Sequence, residues 1–171
     1  MFKRLALSTT CAMALSVIAT PSPCLAQAGQ GADNLVGAWR GQVQFATGAF
    51  AETKDLDFMY AFNIGGTMTE SSNYDTMPPV PPAYGVWRKV GPRKYEAKYQ
   101  FYQNKAVASA DELVKAGGWA PDGHGTLLQK ITLSADGKAF DSRVTLELFD
   151  KQGQPIAGGG EGSAKGKRLG F

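Results

Sequence analysis

Glu70 stands in a stretch that alternates side-chain character, so that Met68, Glu70, Ser72 and Tyr74 share one side of an extended strand. If that side faces a barrel interior, the carboxyl lies among apolar neighbours. Burial there raises its pKa and equips it to give or take a proton. Gln129 shares a side with Leu127, Ile131 and Leu133 by the same alternation, and Tyr60, Tyr95 and Tyr99 offer hydroxyl donors. The strand around Glu70 is short and mixed, so a second reading stands beside the first. In that reading the carboxyl points outward, or is buried and satisfied by an arginine or a hydroxyl.

The N-terminus bears on what other chemistry is open. Lys3 and Arg4 precede a mostly apolar run from Leu5 to Ile18, Pro21-Ser22-Pro23 breaks it, and Ala26-Gln27-Ala28 has the small-x-small pattern of a signal-peptidase site. Residues 1–28 are therefore expected to be a secretory signal cleaved after Ala28, with a flexible lead-in at 29–34 and one domain over 35–171. Removing 28 residues from 171 leaves 143, enough for one domain with a buried core. Both cysteines, Cys11 and Cys24, fall in the removed segment, so the exported chain relies on packing and hydrogen bonds rather than disulfides.

That inventory excludes several classes. Without a cysteine there is no thiolate nucleophile and no zinc–thiolate site. His124 is the only histidine, set in Gly123-His124-Gly125, which reads as an exposed link. No carboxylate loop for calcium is present, and Gly158-Gly159-Gly160 leads into a strand where a phosphate cradle would need a helix. No metal and no cofactor are expected. After cleavage 16 basic residues oppose 15 acidic ones, which gives no electrostatic reason to expect nucleic acid as partner. The run Lys165-Gly166-Lys167-Arg168 reads as a solvated strand end.

The elements that must position these groups follow from period-two patterning. Eight strands are expected, near 38–46, 57–64, 67–74, 84–90, 94–103, 125–134, 139–149 and 156–169. One helix is expected at 111–115, with a capping-box spacing between Ser109 and Glu112 and a stop at Gly117-Gly118. Gly65-Gly66, Gly91-Pro92-Arg93 and Ala135-Asp136-Gly137 read as tight hairpins, whereas the first, third and fifth links are long. Alternate links of an up-and-down barrel lie at opposite ends, so the long ones surround one mouth. The fold expected is all-β, a single eight-stranded antiparallel up-and-down barrel with one short helix in a long loop.

The apolar side of each strand should turn inward: Phe58, Tyr60, Phe62 and Ile64 on the second, and Tyr95, Ala97, Tyr99 and Phe101 on the fifth. The seventh contributes Phe140, Val144, Leu146 and Leu148, against Asp141, Arg143 and Glu147 outside. Such a barrel is either packed solid or holds one small ligand. Trp119, the helix and the stiff Met77–Pro82 segment are placed over the mouth. A small outer-membrane barrel also fits the length, and Leu169 and Phe171 hint at it, but charged faces on the fifth and seventh strands argue against stable insertion.

Asn34-Leu35-Val36-Gly37-Ala38-Trp39 resembles the opening Gly-x-Trp of lipocalins and their calycin relatives, in which the Trp closes the barrel floor. Gly85-Val86-Trp87-Arg88 echoes Gly37-Ala38-Trp39-Arg40. With Phe62–Ser71 and Asp150-Lys151-Gln152-Gly153, the chain looks like small exported bacterial barrels of lipocalin-like or allene-oxide-cyclase-like type. A second lipocalin signature, a disulfide and a long C-terminal helix are missing. The resemblance implies a fold and brings no catalytic residues.

Three functions are consistent with these readings. The first is a periplasmic or secreted barrel binding a small apolar or amphipathic ligand through Phe58, Tyr60, Phe62, Tyr95, Tyr99, Phe101, Gln129 and Trp119. The second is a cofactor-free cyclase or isomerase in the same cavity with Glu70 as its acid–base group. The third is a structural barrel filled by its own aromatics.

Overall fold

The computed structural model describes residues 33–75, 80–107, 109–116 and 118–171. The expected signal segment, the first four residues of the lead-in and the Met77–Pro79 part of the proline-rich link lie outside them. The chain forms a closed barrel in the order β1-β2-β3-β4-β5-β6-β7-β8, every pair antiparallel and β8 returning to β1. The strands are β1 (Gly37–Phe45), β2 (Asp57–Phe62), β3 (Thr67–Ser72), β4 (Ala83–Gly91), β5 (Lys94–Ala106), β6 (Trp119–Leu133), β7 (Ala139–Phe149) and β8 (Pro155–Arg168). Among the described residues one short helix, α1 (Ala110–Ala116), sits in the β5–β6 link.

Alternation buries the expected faces. Phe58, Tyr60 and Phe62 of β2, Tyr95, Ala97 and Tyr99 of β5, and Phe140, Val144, Leu146 and Leu148 of β7 all belong to one core. Ile64 does not follow them: β2 ends at Phe62, and Ile64 lies exposed in the Asn63–Gly66 turn. Gly65 and Gly66 both take positive φ there, at 93° and 87°, a conformation that favours glycine and lets the chain reverse tightly. Tyr74 likewise lies beyond the end of β3, exposed, its hydroxyl donating to Asp55 Oδ1 at 2.7 Å.

β6 is longer than its own pattern implied. Trp119 to His124 pair with the end of β5 in a hairpin, Trp119 opposite Ala106 and His124 opposite Tyr102, with a register shift at Gln103/Asn104. His124 is thus a strand residue rather than a loop residue, its ring stacked on Phe149 with centroids 4.9 Å apart. Ladder hydrogen bonds from β5 and β7 order a stretch that three glycine or proline positions had marked as a link.

The end with tight hairpins is plugged. Trp39 is fully buried and donates its indole N–H to Leu35 O at 2.9 Å, and the Arg168 guanidinium lies 4.2 Å from the centre of its ring. Arg168 also donates to the carbonyls of Gly137 at 3.0 Å, Val36 at 2.5 Å and Asn34. The basic run expected as a solvated end therefore divides: Lys165 and Lys167 face solvent, while Arg168 turns over the barrel floor. Asp33 and Asn34 are tied down too, in place of the flexible lead-in expected there. Asp33 accepts hydrogen bonds from Lys89 Nζ at 2.7 Å and Arg93 N at 2.9 Å, and the Tyr95 hydroxyl reaches it at 3.0 Å.

Candidate functional site

The barrel interior is divided by depth. Its lower half is filled by aromatic side chains: Tyr60 packs against Phe62, Tyr99 and Phe140 with centroids 5.8, 6.3 and 6.0 Å apart, and Trp39 against Phe140 at 5.3 Å. Above them a cavity of about 270 Å³ opens toward the long links. Its apolar wall comes from Phe45, Leu56, Phe58, Leu127 and Leu146 on or beside the strands, with Phe50 and Val80 from the links. Glu70 and Ser72 of β3 supply polar groups within, and Asp75, Tyr74, Gln103 and Asn104 stand at the rim.

Two close backbone approaches shape this cavity. A Cβ on Gly125 would fall 2.2 Å from Phe101 Cζ, so the absence of a side chain there lets the Phe101 ring lie flat against β6 as one wall. A Cβ on Gly160 would fall 2.0 Å from Thr47 O, and one on Gly48 (φ 86°) 2.3 Å from Gly159 O. The Gly158–Gly160 run thus lets the β1–β2 link press onto β8, where Thr47 Oγ1 accepts from Glu161 N at 3.0 Å. That contact carries Phe50 inward against Phe45, centroids 5.9 Å apart. The glycine triplet has a steric role in building the mouth.

Glu70 is inward. It is 5 % exposed, directly opposite Tyr60 on β2 and Ala83 on β4. Of the two sequence readings, the outward one is overturned; of the buried carboxyl, Oε1 has no hydrogen-bond partner among the described residues. Burial pushes its carboxyl well above the ordinary value of 4.5, and the negative charge of Asp75 pushes the same way. Asp75 itself accepts from Ser72 N at 2.6 Å and Ser72 Oγ at 3.0 Å, which pins the turn after β3.

Beneath Glu70 three more oxygen atoms lack partners: the Tyr60 and Tyr99 hydroxyls and Gln129 Oε1. These groups are near enough to influence one another's titration, yet none meets the geometry of a hydrogen bond with another. Both phenols are pushed above their ordinary range, by burial first and then by neighbouring negative charge, so they remain neutral donors. Gln129 is held by its amide nitrogen, which donates to Ser142 Oγ at 2.8 Å.

Of the residues expected to bind a ligand, Phe58 and Phe101 line the cavity together with Glu70. Tyr60, Phe62, Tyr99 and Gln129 do not; they form the packed layer below it. Tyr95 lies lower still, its hydroxyl donating to Asp33 O at 3.0 Å, and its pKa is pushed up to about 12 by burial and then by Asp33. Trp119 stands at the outer end of the β5–β6 hairpin and is not part of the wall, because the strands carry it past the rim. Sequence reasoning missed Phe45, Leu56, Leu127 and Leu146 as wall residues. Alternation marked Leu127 and Leu146 as inward but said nothing about height along the barrel; it assigned Phe45 no face, and Leu56 precedes the expected second strand.

Among the described residues no group of three or more histidine, cysteine, aspartate or glutamate side chains is placed to hold a metal ion. No protein-family model matches this sequence, and no curated protein matches it.

Proposed function

We propose that this chain is an exported, lipocalin-like barrel that binds one small apolar or amphipathic molecule in the upper half of its interior. The observation that carries the reading is a cavity of about 270 Å³ with a wall chiefly of phenylalanine and leucine, open at the end where the long links gather. A cavity of about 150 Å³ holds benzene, so this one suits a molecule of roughly a dozen non-hydrogen atoms. The apolar wall would supply affinity, and Glu70 with Ser72 would orient a polar end. Outward charges support a barrel surrounded by water: Asp141 is flanked by Thr132 and Lys165, and Arg88 pairs with Glu96 at 2.7 Å. Export would release a chain beginning at Gly29, which intact mass of the secreted or periplasmic protein checks.

Titration calorimetry with 4-phenylbutanol tests the binding itself. Saturable one-to-one binding with a negative heat-capacity change is expected, and Leu127→Trp should abolish it by filling the cavity. Absence of binding to the wild-type barrel overturns the reading.

A second reading, a cofactor-free isomerase or cyclase, is favoured by one observation: a buried carboxyl lining an apolar cavity, its pKa raised by burial, is suited to general acid catalysis. Glu70→Gln should then leave substrate binding intact and remove turnover, because an amide does not exchange a proton at neutral pH. Equal turnover by the variant would end that reading.

A further inference from the structure

We infer that the molecule held in this cavity is a small amphipathic amine whose ammonium group sits against Glu70. This rests on the ligand-binding reading above and names the class of ligand. The first support is an incomplete hydrogen-bonding set. Glu70 lines the cavity, is nine-tenths buried, and leaves Oε1 without a partner. A buried carboxyl in that condition is costly to maintain, and a donor brought by the ligand would relieve it.

The second support is charge. Among the described residues the charged side chains of the cavity lining are Glu70 and Asp75, both acidic, and neither lysine nor arginine is among them. A carboxylate or phosphate ligand would meet the negative charge of Asp75, no cation among the lining residues, and a Glu70 carboxyl whose ionisation it would oppose. The titratable groups that interact with Glu70 are Tyr60 of β2, directly opposite it, Tyr99 of β5, and Asp75 just beyond the end of its own strand. None of these is a cation. Glu70 thus has no counter-ion among the described residues.

The third support is the wall. Phe58 and Phe101 share the cavity with Glu70, and phenyl faces tolerate an ammonium group as well as hydrocarbon. An aryl or alkyl chain on the amine would fill the space among Leu127, Leu146 and Phe45.

A proton balance follows. In the empty barrel burial, and then the negative charge of Asp75, favour the protonated form of the Glu70 carboxyl. When the ammonium ion enters, the carboxyl ionises to pair with it, and one proton leaves for solvent. Nothing is oxidised or reduced.

Three probes of matched shape test the inference on the whole exported protein: 4-phenylbutylamine, 4-phenylbutanol and 4-phenylbutanoate. The amine should bind at least tenfold more tightly than the alcohol, and the carboxylate more weakly than either. Calorimetry at pH 7 in buffers of different ionisation heat should show net proton release with the amine and none with the alcohol. Glu70→Gln should lower amine affinity at least tenfold more than alcohol affinity and abolish the proton release. Alcohol binding by the variant certifies its fold, and the wild-type proton release needs no variant. Amine binding no tighter than the alcohol, or a preference for the carboxylate, overturns the amine while leaving a ligand-binding barrel. Failure of all three probes to bind removes the ligand-binding reading, and the amine with it.

Discussion

Glu70 on β3 lies directly opposite Tyr60 on β2, and neither Glu70 Oε1 nor the Tyr60 hydroxyl oxygen has a hydrogen-bond partner. Two polar side chains facing each other in a barrel interior would ordinarily satisfy one another. Here they remain apart at the level where packed aromatics give way to open space, and the pair marks the boundary between floor and cavity.

The first consequence is a pH dependence of stability. Glu70 has a folded pKa raised above its unfolded value of 4.5, so the folded state binds the extra proton. Its contribution is fully present below pH 4.5 and is lost as pH rises through the folded value. Between those two limits the slope is about 1.4 kcal/mol per pH unit. Urea melts of the wild type and Glu70→Gln, followed upward from pH 4, should therefore diverge in favour of the variant. Parallel curves would contradict the raised pKa.

Phe101 and Gly125 should behave as one unit. Gly125→Ala places a methyl group where the Phe101 ring now lies, and overpacking of this kind costs about 1–3 kcal/mol. Phe101→Leu in the same chain should recover most of the loss, because the shorter side chain vacates that volume. A double-mutant cycle on denaturant midpoints measures the coupling, which should exceed about 0.5 kcal/mol. Additive effects would show that the ring does not rest on β6.

Arg168 should be the most sensitive position at the closed end. Its replacement by alanine removes hydrogen bonds to three carbonyls and the contact with Trp39, leaving buried acceptors unpaired. A loss of about 3 kcal/mol is expected in chemical denaturation. Arg168→Lys should restore little of it, since an ammonium group lacks the planar fork that reaches several acceptors at once. Full rescue by lysine would assign the effect to charge alone.

Gly160→Ala should open the mouth without unfolding the barrel. The added methyl group cannot share space with Thr47 O, so the β1–β2 link must lift from β8. Ala46 N and Ala49 N now donate to Glu161 O and Gly158 O at 2.7 and 2.9 Å. Hydrogen exchange at both amides should accelerate in the variant, while exchange within β6 and β7 stays slow. Unchanged protection at Ala46 and Ala49 would refute the proposed packing.

The strand order, the three tight turns and the inward faces of β2, β5 and β7 were readable in the sequence, because alternation and turn chemistry are local properties of the chain. So was the short helix, from its cap and its glycine stop. Alternation states only that Glu70, Tyr60 and Leu127 point inward. Height along the barrel depends on the stagger accumulated around eight paired strands, and that stagger decides that Glu70 and Leu127 line a cavity while Tyr60 and Tyr99 lie beneath it. The extension of β6 to Trp119 needed β5 as a partner, and the inward turn of Arg168 needed carbonyls at Asn34, Val36 and Gly137, 31 or more residues away. Gly158–Gly160 had a meaning only once the β1–β2 link lay across it. Local pattern determined which way each side chain faces; only closure of the sheet on itself determined which of those side chains meet.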